Sequence, residues 1–324
     1  MARLARVRPR VDAGYRRVRA GSGFRYLDES GRDVARADRR RIRGLAIPPA
    51  WEDVWISAAP LGHIQAVGTD EAGRTQYLYH PRWRACQDRG KFARALALAE
   101  ALPRARGHVT SALRRGTLDR DHALAVAFRL LDEAAPRVGS DRYLARHGSR
   151  GLTTLRRRDA VIAASTVTLS FPAKSGRRAL LEIDDADLAA ALQALTVGAP
   201  RAPLLWYLVG RRHVRLTPAD VNAHIREITG GDFTAKDFRT LHGTILAADA
   251  LAQIGPADDA RMRKHAEALA VRAVAQSLGN TPAVARGSYI APGVFTAYRT
   301  GRLLELGPRP ESAIRRLLID GRSG

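Results

Sequence analysis

The chain has 324 residues, of which 54 are Lys or Arg and 32 are Asp or Glu, for a formal net charge of +22. Hydrophobic residues make up 45% of it, which excludes an intrinsically disordered chain, and no run of about 18 apolar residues predicts a membrane span. The single cysteine, Cys86, excludes an intramolecular disulfide and a zinc site built on several cysteines.

The excess of positive charge predicts a nucleic-acid partner, because such a protein is expected to bind a polyanion. An anionic membrane surface is the competing partner, but no single amphipathic helix stands out as able to dock on one. The N-terminal stretch MARLARVRPRVDAGYRRVR is basic and lacks the apolar core and cleavage site of a secretory signal. We therefore expect a cytoplasmic, nucleoid-associated protein.

The first 90 or so residues predict a β-rich domain. The stretch FRYLDESGRDV is typical of a hairpin with its turn at Asp28–Gly31, and a second turn is expected at Asp70–Gly73 between alternating strands. A short helix is expected near Arg36–Arg43, followed by the proline-fixed connection IPPAW. The segment Pro81–Lys91 is expected to be a flexible linker.

From about Arg89 onwards, helical periodicity dominates, as in KFARALALAEALPRARGHVTSALRR and DRDHALAVAFRLLDEAAPRVG. A β-hairpin interrupts the helices, with its turn at Lys174–Gly176. Its strands are predicted from alternating apolar residues, which are Val167, Leu169 and Phe171 before the turn and Ala179, Leu181 and Ile183 after it.

Two later helices have recognisable start signals. Thr217 predicts an N-cap, with Gly230 ending that helix, and Thr234 three residues before Asp237 predicts a capping box. The fold class is therefore predicted as α+β. We expect a small β-rich N-terminal domain over residues 1–88, and a larger, mainly α-helical domain with a short β-hairpin over residues 89–324.

The stretch LGNTPAVARGSYIAPGVF contains Tyr289 in a region with little else that could do chemistry. Most tyrosines are half-buried packing residues, so a nucleophilic role requires cationic partners elsewhere in the chain. Phosphoryl transfer to a hydroxyl needs arginines on the non-bridging oxygens and a donor that releases a proton to the leaving oxygen. Lysine can release such a proton and arginine effectively cannot. The chain has only four lysines: Lys91, Lys174, Lys236 and Lys264.

Four positions in the helical domain can meet these demands. Arg137 follows a proline in APRVGSDRY, and Lys174 occupies the tip of the hairpin. Arg239 lies in the first turns of the capped helix, and Asn280 follows a glycine in SLGNTP. Taken singly, each has an ordinary explanation as a solvated cation, a turn residue or a helix cap. His242 is more often a packed or capping histidine than a base.

The order of these residues resembles the catalytic domain of type IB DNA topoisomerases, in particular the bacterial, poxvirus-like branch, whose fold is shared with tyrosine recombinases. The resemblance comprises an arginine, a hairpin lysine, KDxRT, LGNTP and a late tyrosine, and it covers nearly the whole chain. In the first domain, GRTQYLYH is similar to the DNA-contacting strand of the family, with Gln76, Tyr77 and Tyr79 at the matching positions.

The resemblance implies a role for each residue. Tyr289 would attack the scissile phosphate and form a DNA-3′-phosphotyrosyl bond, while Arg137 and Arg239 hold the non-bridging oxygens and Lys174 protonates the 5′-oxygen. Strand rotation and religation would then relax positive and negative supercoils without ATP, a metal or another cofactor. The expected partner is duplex DNA, enclosed by a monomer that closes as a clamp, with Lys236 on a solvated or DNA-facing side.

Asn280 departs from the family pattern, since most members have histidine there. Asparagine can donate a hydrogen bond to a phosphate oxygen but cannot become cationic. We therefore expect Asn280 to be a hydrogen-bond donor to the transition state.

Two alternatives remain open from the sequence. A site-specific tyrosine recombinase uses similar chemistry, but such enzymes usually have a histidine where this chain has Lys236 before Arg239, and a helical first domain. A non-catalytic architectural DNA-binding protein would account for the charge but not for the ordered set of site residues.

Overall fold

A computed structural model describes residues 3–71 and 73–319 of the chain. It divides into two compact units, one that ends at Gly90 and one that begins at Lys91. The first unit is built mainly on a β-sheet and the second mainly on helices, which confirms the predicted α+β class.

The first unit contains a five-stranded antiparallel sheet with the strand order β2-β1-β3-β4-β5. Its elements are β1 (Gly14–Ala20), β2 (Gly23–Leu27), α1 (Arg36–Gly44), β3 (Glu52–Ser57), β4 (Ile64–Thr69) and β5 (Thr75–Tyr79). The core contains Ile42 of α1, which is 1% exposed, together with the central strand residues Ile56 and Ala66. The sheet therefore buries one face under the helix.

Both predicted turns in this unit are present, but only the second joins two strands of the sheet. The turn at Asp70–Gly73 joins β4 to β5, and the Gly73 N–H donates to the Asp70 carbonyl at 2.8 Å. The turn at Asp28–Gly31 also forms, with the Gly31 N–H donating to the Asp28 carbonyl at 3.0 Å, but the strand before it, β2, pairs over its whole length with the preceding β1. After the turn, a single bridge joins Leu27 to Asp33. Strand β1 was not predicted, because its arginine-rich sequence lacks the alternation of apolar and polar residues that marks a strand.

The second unit is mainly helical. Its helices are α2 (Pro81–Arg114, which begins in the first unit), α3 (Arg120–Ala134), α4 (Asp141–His147), α5 (Ala186–Thr196), α6 (Pro218–Thr229), α7 (Ala235–Ile254), α8 (Ala260–Ser277), α9 (Pro282–Ser288), α10 (Pro292–Arg299) and α11 (Pro310–Leu318). The segment Pro81–Lys91, predicted as a flexible linker, is instead helical and forms the first turns of α2. The proline is at the first helical position, where its fixed φ favours a helix and its missing N–H costs nothing.

The β-hairpin of the second unit has the predicted register. Its strands are β7 (Thr166–Pro172) and β8 (Arg178–Asp184), with Lys174–Gly176 between them. The predicted inward residues face each other in the pairs Val167–Ile183, Leu169–Leu181 and Phe171–Ala179. Three further strands were not predicted: β6 (Ala160–Ala163), which pairs with β7, and the hairpin of β9 (Trp206–Val209) and β10 (Arg212–Arg215).

The predicted helix starts are confirmed. Thr217 caps α6, and Gly230 follows its end with φ +69°, a conformation that glycine adopts without strain. Thr234 and Asp237 form the capping box of α7, in which the Thr234 N–H donates to the Asp237 carboxylate at 2.9 Å. Helix α3 lies at the centre of the core, where the Phe128 ring meets the Phe238 ring of α7 edge-on, with centroids 5.2 Å apart.

Candidate active site

Tyr289 lies between two helices, directly after α9 and before α10. Its side chain is 8% exposed, so it is a buried residue with a polar tip. The guanidinium carbon of Arg239 is 5.0 Å from the centroid of the Tyr289 ring. The late tyrosine and the second arginine of the predicted set are therefore neighbours.

Arg239 is on the second turn of α7 and points into the protein, where it is 6% exposed. Its Nη1 donates to the Ala135 carbonyl at 2.6 Å and its Nη2 to the Leu278 carbonyl at 2.7 Å. These two carbonyls belong to the segments that carry Arg137 and Asn280. One buried guanidinium thus joins α7 to both of the loops that hold the other site residues.

Arg137 is held in a tight loop that follows α3. Ala135 ends the helix with φ +44°, and the Arg137 carbonyl accepts a hydrogen bond from the Leu152 N–H at 2.8 Å. Gly151 makes this close approach possible, because a Cβ there would lie 2.4 Å from the Arg137 carbonyl oxygen. The backbone on which Arg137 sits is therefore fixed by close packing against the Gly151 segment.

Asn280 is positioned by the end of α8. Gly279 adopts φ +59°, and the Asn280 N–H donates to the Ala275 carbonyl at 2.8 Å, which closes the last turn of the helix. The Asn280 Oδ1 accepts a hydrogen bond from Arg137 Nη2 at 2.5 Å. Since arginine only donates, the amide nitrogen must face the other way.

The amide nitrogen of Asn280 is a buried donor without a partner among the described residues. Asn280 is 7% exposed, and leaving a buried donor unpaired costs about 1–3 kcal/mol. The Arg239 Nε is likewise buried and unpartnered within the described chain. Unsatisfied donors beside two guanidinium groups constitute a site that a phosphate oxygen can complete.

Opposing effects set the pKa of Tyr289. Burial raises the pKa of the Tyr289 hydroxyl, whereas the positive charges of Arg239 and Arg137 lower it. Together the charges have the larger effect, so the pKa lies below the ordinary value of 10.0. Burial also lowers the pKa of Arg239, since a desolvated cation beside another cation is disfavoured. An anion between the two arginines would relieve this cost.

A cavity of about 460 Å³ opens beside these residues. Arg137 and Arg239 line it, as do three arginines that the sequence analysis did not single out: Arg150, Arg177 and Arg178. Arg177 donates from Nη1 to the Asn280 carbonyl at 3.4 Å, and it follows the hairpin turn directly. The arginine pair after that turn is the sequence signal that could have marked this wall of the cavity.

Lys174 is at the hairpin tip, as predicted, and its side chain is exposed. No hydrogen bond or ion pair connects it to the described residues. Ala173 and Arg177, on either side of the turn, line the cavity, whereas Lys174 does not. The structure thus brings together Tyr289, Arg239, Arg137 and Asn280, and leaves Lys174 outside the group they form.

Three of the four predicted DNA-contacting residues are exposed on their elements, and Gln76 is half-buried. The Tyr77 and Tyr79 rings project from the same face of β5, stacked with centroids 6.0 Å apart and planes 18° from parallel. They are 45% and 39% exposed. Gln76 donates to the Asp70 carboxylate at 2.8 Å, and Lys236 lies exposed in the first turn of α7. His242 is packed, with its ring against the Asp132 carbonyl, as expected.

Neither a metal centre nor a membrane span is found in residues 3–71 and 73–319. No group of three or more His, Cys, Asp or Glu residues there could hold a metal ion. No helix there is long and apolar enough to cross a bilayer.

Comparisons with known proteins cover most of the chain. The family described as "Eukaryotic DNA topoisomerase I, catalytic core" matches residues 80–291, which is more than half of the chain. The family described as "Bacterial DNA topoisomerase IB, N-terminal domain" matches residues 23–70. The chain is 28% identical over 296 residues to DNA topoisomerase 1B of Acanthamoeba polyphaga mimivirus, and the match covers 88% of each chain.

Proposed function

The chain belongs to the type IB DNA topoisomerase family, and on that premise we propose that it relaxes positive and negative supercoils through a DNA-3′-phosphotyrosyl intermediate on Tyr289. The observation that carries the proposal is the contact of the buried Tyr289 ring with Arg239, together with the hydrogen bond of Arg137 to Asn280. A tyrosine beside two guanidinium groups has both a nucleophilic oxygen and a place for the phosphate. The family matches favour this function over the recombinase and architectural alternatives.

The cleavage step requires one bond to form and one to break. Tyr289 loses its hydroxyl proton to solvent and its phenolate oxygen attacks the scissile phosphorus. The bond from phosphorus to the 5′-oxygen breaks, and the leaving oxygen takes a proton. A lowered tyrosine pKa favours this attack, because more of the hydroxyl is ionised near neutral pH. Religation reverses each of these changes, so the energy of the phosphodiester is kept in the phosphotyrosine. The proposed cycle therefore uses neither a nucleotide nor a metal.

Arg137, Arg239 and Asn280 are proposed to stabilise the pentacoordinate transition state. Arg239 uses one N–H of each terminal nitrogen on the Ala135 and Leu278 carbonyls, which leaves a second N–H on each for phosphate oxygens. The unpartnered amide of Asn280 supplies a further donor. These groups are fixed before DNA binds, so little reorganisation is needed as charge develops on the phosphate.

Lys174 is proposed to be the general acid that protonates the leaving 5′-oxygen. Its exposed position at the hairpin tip gives a long side chain access to a DNA groove. The neighbouring Ala173 and Arg177 line the cavity next to Arg137 and Arg239, so the turn borders the proposed phosphate site. A lysine is suited to this role because it can release a proton near neutral pH.

The remaining DNA contacts are proposed for Gln76, Tyr77, Tyr79 and Lys236. The exposed, stacked pair Tyr77 and Tyr79 supports a contact surface on β5, because large apolar rings on an edge strand otherwise gain little from exposure. We propose that domains 1–88 and 89–324 close around duplex DNA as a monomeric clamp. Acting on chromosomal DNA would associate the enzyme with the nucleoid.

Plasmid relaxation in EDTA without ATP tests the proposed function, with wild type beside Tyr289→Phe. We expect wild type to relax both signs of supercoil and to become covalently attached to the 3′ end of a nicked strand after a detergent quench. The phenylalanine variant should bind plasmid with unchanged affinity and form no adduct. Relaxation or adduct formation by this variant would overturn the assignment of the nucleophile.

A further inference from the structure

Thr244 lies five residues after Arg239 on α7 and is 2% exposed. Its hydroxyl oxygen lies 2.7 Å from the Thr240 carbonyl and 3.2 Å from the Tyr289 carbonyl, and its single proton serves these two acceptors. The same oxygen accepts a hydrogen bond from the Ala291 N–H at 3.1 Å. One side chain therefore holds the backbone at Tyr289 and at the residue two positions later.

The residue before Thr244 makes this contact close. A Cβ added to Gly243 would lie 2.7 Å from the Tyr289 carbonyl oxygen and 3.0 Å from the Tyr289 Cβ, so only glycine fits there. The backbone of Tyr289 thus packs directly against α7. This is the helix that also carries Arg239, whose guanidinium lies over the Tyr289 ring.

We propose that Thr244 is a positioning residue for the nucleophile, which holds Tyr289 in register with Arg239 through the main chain. The inference rests on the proposed function, because it assumes that Tyr289 attacks the phosphate. Tyr289 has no regular helix of its own, since α9 ends before it and α10 begins after it. The Thr244 hydroxyl fixes this short connection on both sides and relates it to the arginine by a rigid helix.

This arrangement matters for rate because in-line attack depends on sub-ångström placement, and a misplacement of about 1 Å can cost a factor of about 100. Without the hydroxyl, the Ala291 N–H and the Tyr289 carbonyl lose a buried partner. The connection then has several conformations in place of one. The transition states for cleavage and for religation are the same, so both rate constants should fall together.

The test compares Thr244→Val, Thr244→Ser and the control Thr240→Val in single-turnover cleavage of supercoiled plasmid with enzyme in excess. Valine has the shape of threonine without its hydroxyl, and serine keeps the hydroxyl without the methyl. Thr240 is the matched control, since it is also buried on α7 but, among the described residues, its hydroxyl bonds only the Lys236 carbonyl, at 3.3 Å. Tyr289→Phe in the same assay tests the proposed function separately.

We expect Thr244→Val to reduce the cleavage and religation rate constants by about 100-fold each. The fraction of DNA trapped covalently at equilibrium and the dissociation constant for plasmid should stay within about twofold. Thr244→Ser should recover most of the rate, and Thr240→Val should leave it nearly unchanged while lowering the melting temperature. A valine variant that merely unfolds would reduce the amplitude of cleavage and not its rate constant.

Three results would overturn the inference: a normal cleavage rate in Thr244→Val, a failure of serine to restore it, or an equal loss of rate in Thr240→Val. In each case an inactive Tyr289→Phe would leave the proposed function standing. An active Tyr289→Phe would instead remove the premise on which the inference rests.

Discussion

The guanidinium group of Arg239 lies over the ring of Tyr289, with its central carbon 5.0 Å from the ring centroid. The same group donates to the carbonyls of Ala135 and Leu278, so it contacts three separate segments at once. Its charge acts on the tyrosine, and its hydrogen bonds fix the loops of Arg137 and Asn280. Its electrostatic and structural contributions therefore have to be separated by experiment.

The pH dependence of cleavage should report the lowered pKa of Tyr289. Because Arg239 and Arg137 lower this pKa below 10.0 against the effect of burial, the cleavage rate should rise with pH, and the midpoint of that rise should lie below 10. In Arg239→Lys the charge is retained with fewer donors, whereas Arg239→Gln removes it. We expect the midpoint to move upwards in the glutamine variant, more than in the lysine variant.

The measurement is the single-turnover rate of covalent adduct formation as a function of pH at saturating DNA. Arg302, an exposed arginine whose side chain donates to the Leu317 carbonyl at 3.0 Å, provides the matched control as Arg302→Gln. An unchanged midpoint in Arg239→Gln would show that this guanidinium does not set the ionisation of the nucleophile.

Asn280 should contribute to rate and little to affinity. Its buried amide nitrogen is unpartnered in the described chain and faces away from Arg137, so Asn280→Ala removes one donor to the transition state. The loss of one such donor costs a factor of about 100 in rate. Asn280→Asp should be more damaging, since a carboxylate pairs with Arg137 and repels the phosphate. Asn280→His should retain activity, because histidine can also donate.

Two measurements separate the effect on rate from the effect on affinity. The rate of adduct formation is measured with Tyr289 present, and the dissociation constant is measured in the Tyr289→Phe background, where no adduct forms. In that background, Asn280→Ala should bind plasmid with an affinity within about threefold of the parent, since one phosphate contact contributes little to total binding. A loss of affinity as large as the loss of rate would contradict the assignment of Asn280 to the transition state.

The elements of the site differ in how far the sequence predicts them. Local signals identify the hairpin around Lys174 and the capped helix of Arg239, because turn and capping chemistry lie within a few residues. The sequence does not predict that Arg239 bonds the Ala135 and Leu278 carbonyls, since these contacts join residues about 40 to 100 positions apart. The contacts of Thr244 and of the cavity arginines also join residues far apart in the chain, so the sequence does not predict that these residues lie at the site.

The segment predicted as a linker shows that local composition does not distinguish a charged helix from a loop. Charged and polar residues from Pro81 to Lys91 resemble a connecting segment, yet they form the start of α2. Arginine, glutamine and lysine are good helix formers, and a proline at the first position starts a helix as readily as it starts a loop. In the first unit, β1 is missed because its arginines do not show the apolar alternation of a half-buried strand.

Glu267 should stabilise the helices on either side of Tyr289. This carboxylate on α8 is 5% exposed at its side chain and accepts from Arg286 at 2.8 Å and from Arg299 at 2.6 and 2.8 Å. Arg286 is on α9 and Arg299 is on α10. Glu267→Gln should lower the free energy of unfolding by about 2 kcal/mol. This is the size of contribution expected from hydrogen bonds to a buried charged group when the partner side chains are half exposed.

This contribution should depend on pH in a defined direction. Burial alone would raise the pKa of Glu267, but the hydrogen bonds and charges of Arg299 and Arg286 lower it below 4.5 in the folded state. The stabilisation is therefore present above the pKa of the unfolded chain, about 4.3, and is lost as the pH falls through the lower folded value. Urea unfolding of wild type and Glu267→Gln at neutral and acid pH measures the difference.

The matched control for Glu267 is Glu305→Gln, whose carboxylate is 75% exposed and pairs with Arg316 at the surface. Exposed pairs contribute little, so this variant should unfold within about 0.5 kcal/mol of wild type. If Glu267→Gln were no less stable than Glu305→Gln at neutral pH, the buried pair would not support the helices around the nucleophile.

The proposed role of Lys174 is to protonate the leaving 5′-oxygen. A substrate whose leaving atom needs no proton therefore tests that role separately from DNA binding. Lys174→Ala should reduce cleavage by about 10²- to 10⁴-fold, the contribution of a general acid. A DNA substrate with sulfur in place of the 5′-oxygen leaves as a thiolate, whose pKa of about 8.5 makes protonation unnecessary. The alanine variant should cleave this substrate at nearly the wild-type rate, and Lys174→Arg should behave like alanine because arginine does not release its proton.

Single-turnover cleavage of the oxygen and sulfur substrates by wild type, Lys174→Ala and Lys174→Arg tests this role. Lys264→Ala, an exposed lysine on α8, is the matched control and should cleave both substrates normally. A side chain that merely binds DNA would slow both substrates equally when it is removed, and added DNA would restore the rate. Equal loss on sulfur and oxygen at saturating DNA would therefore exclude Lys174 as the acid, and the proton would have to come from water.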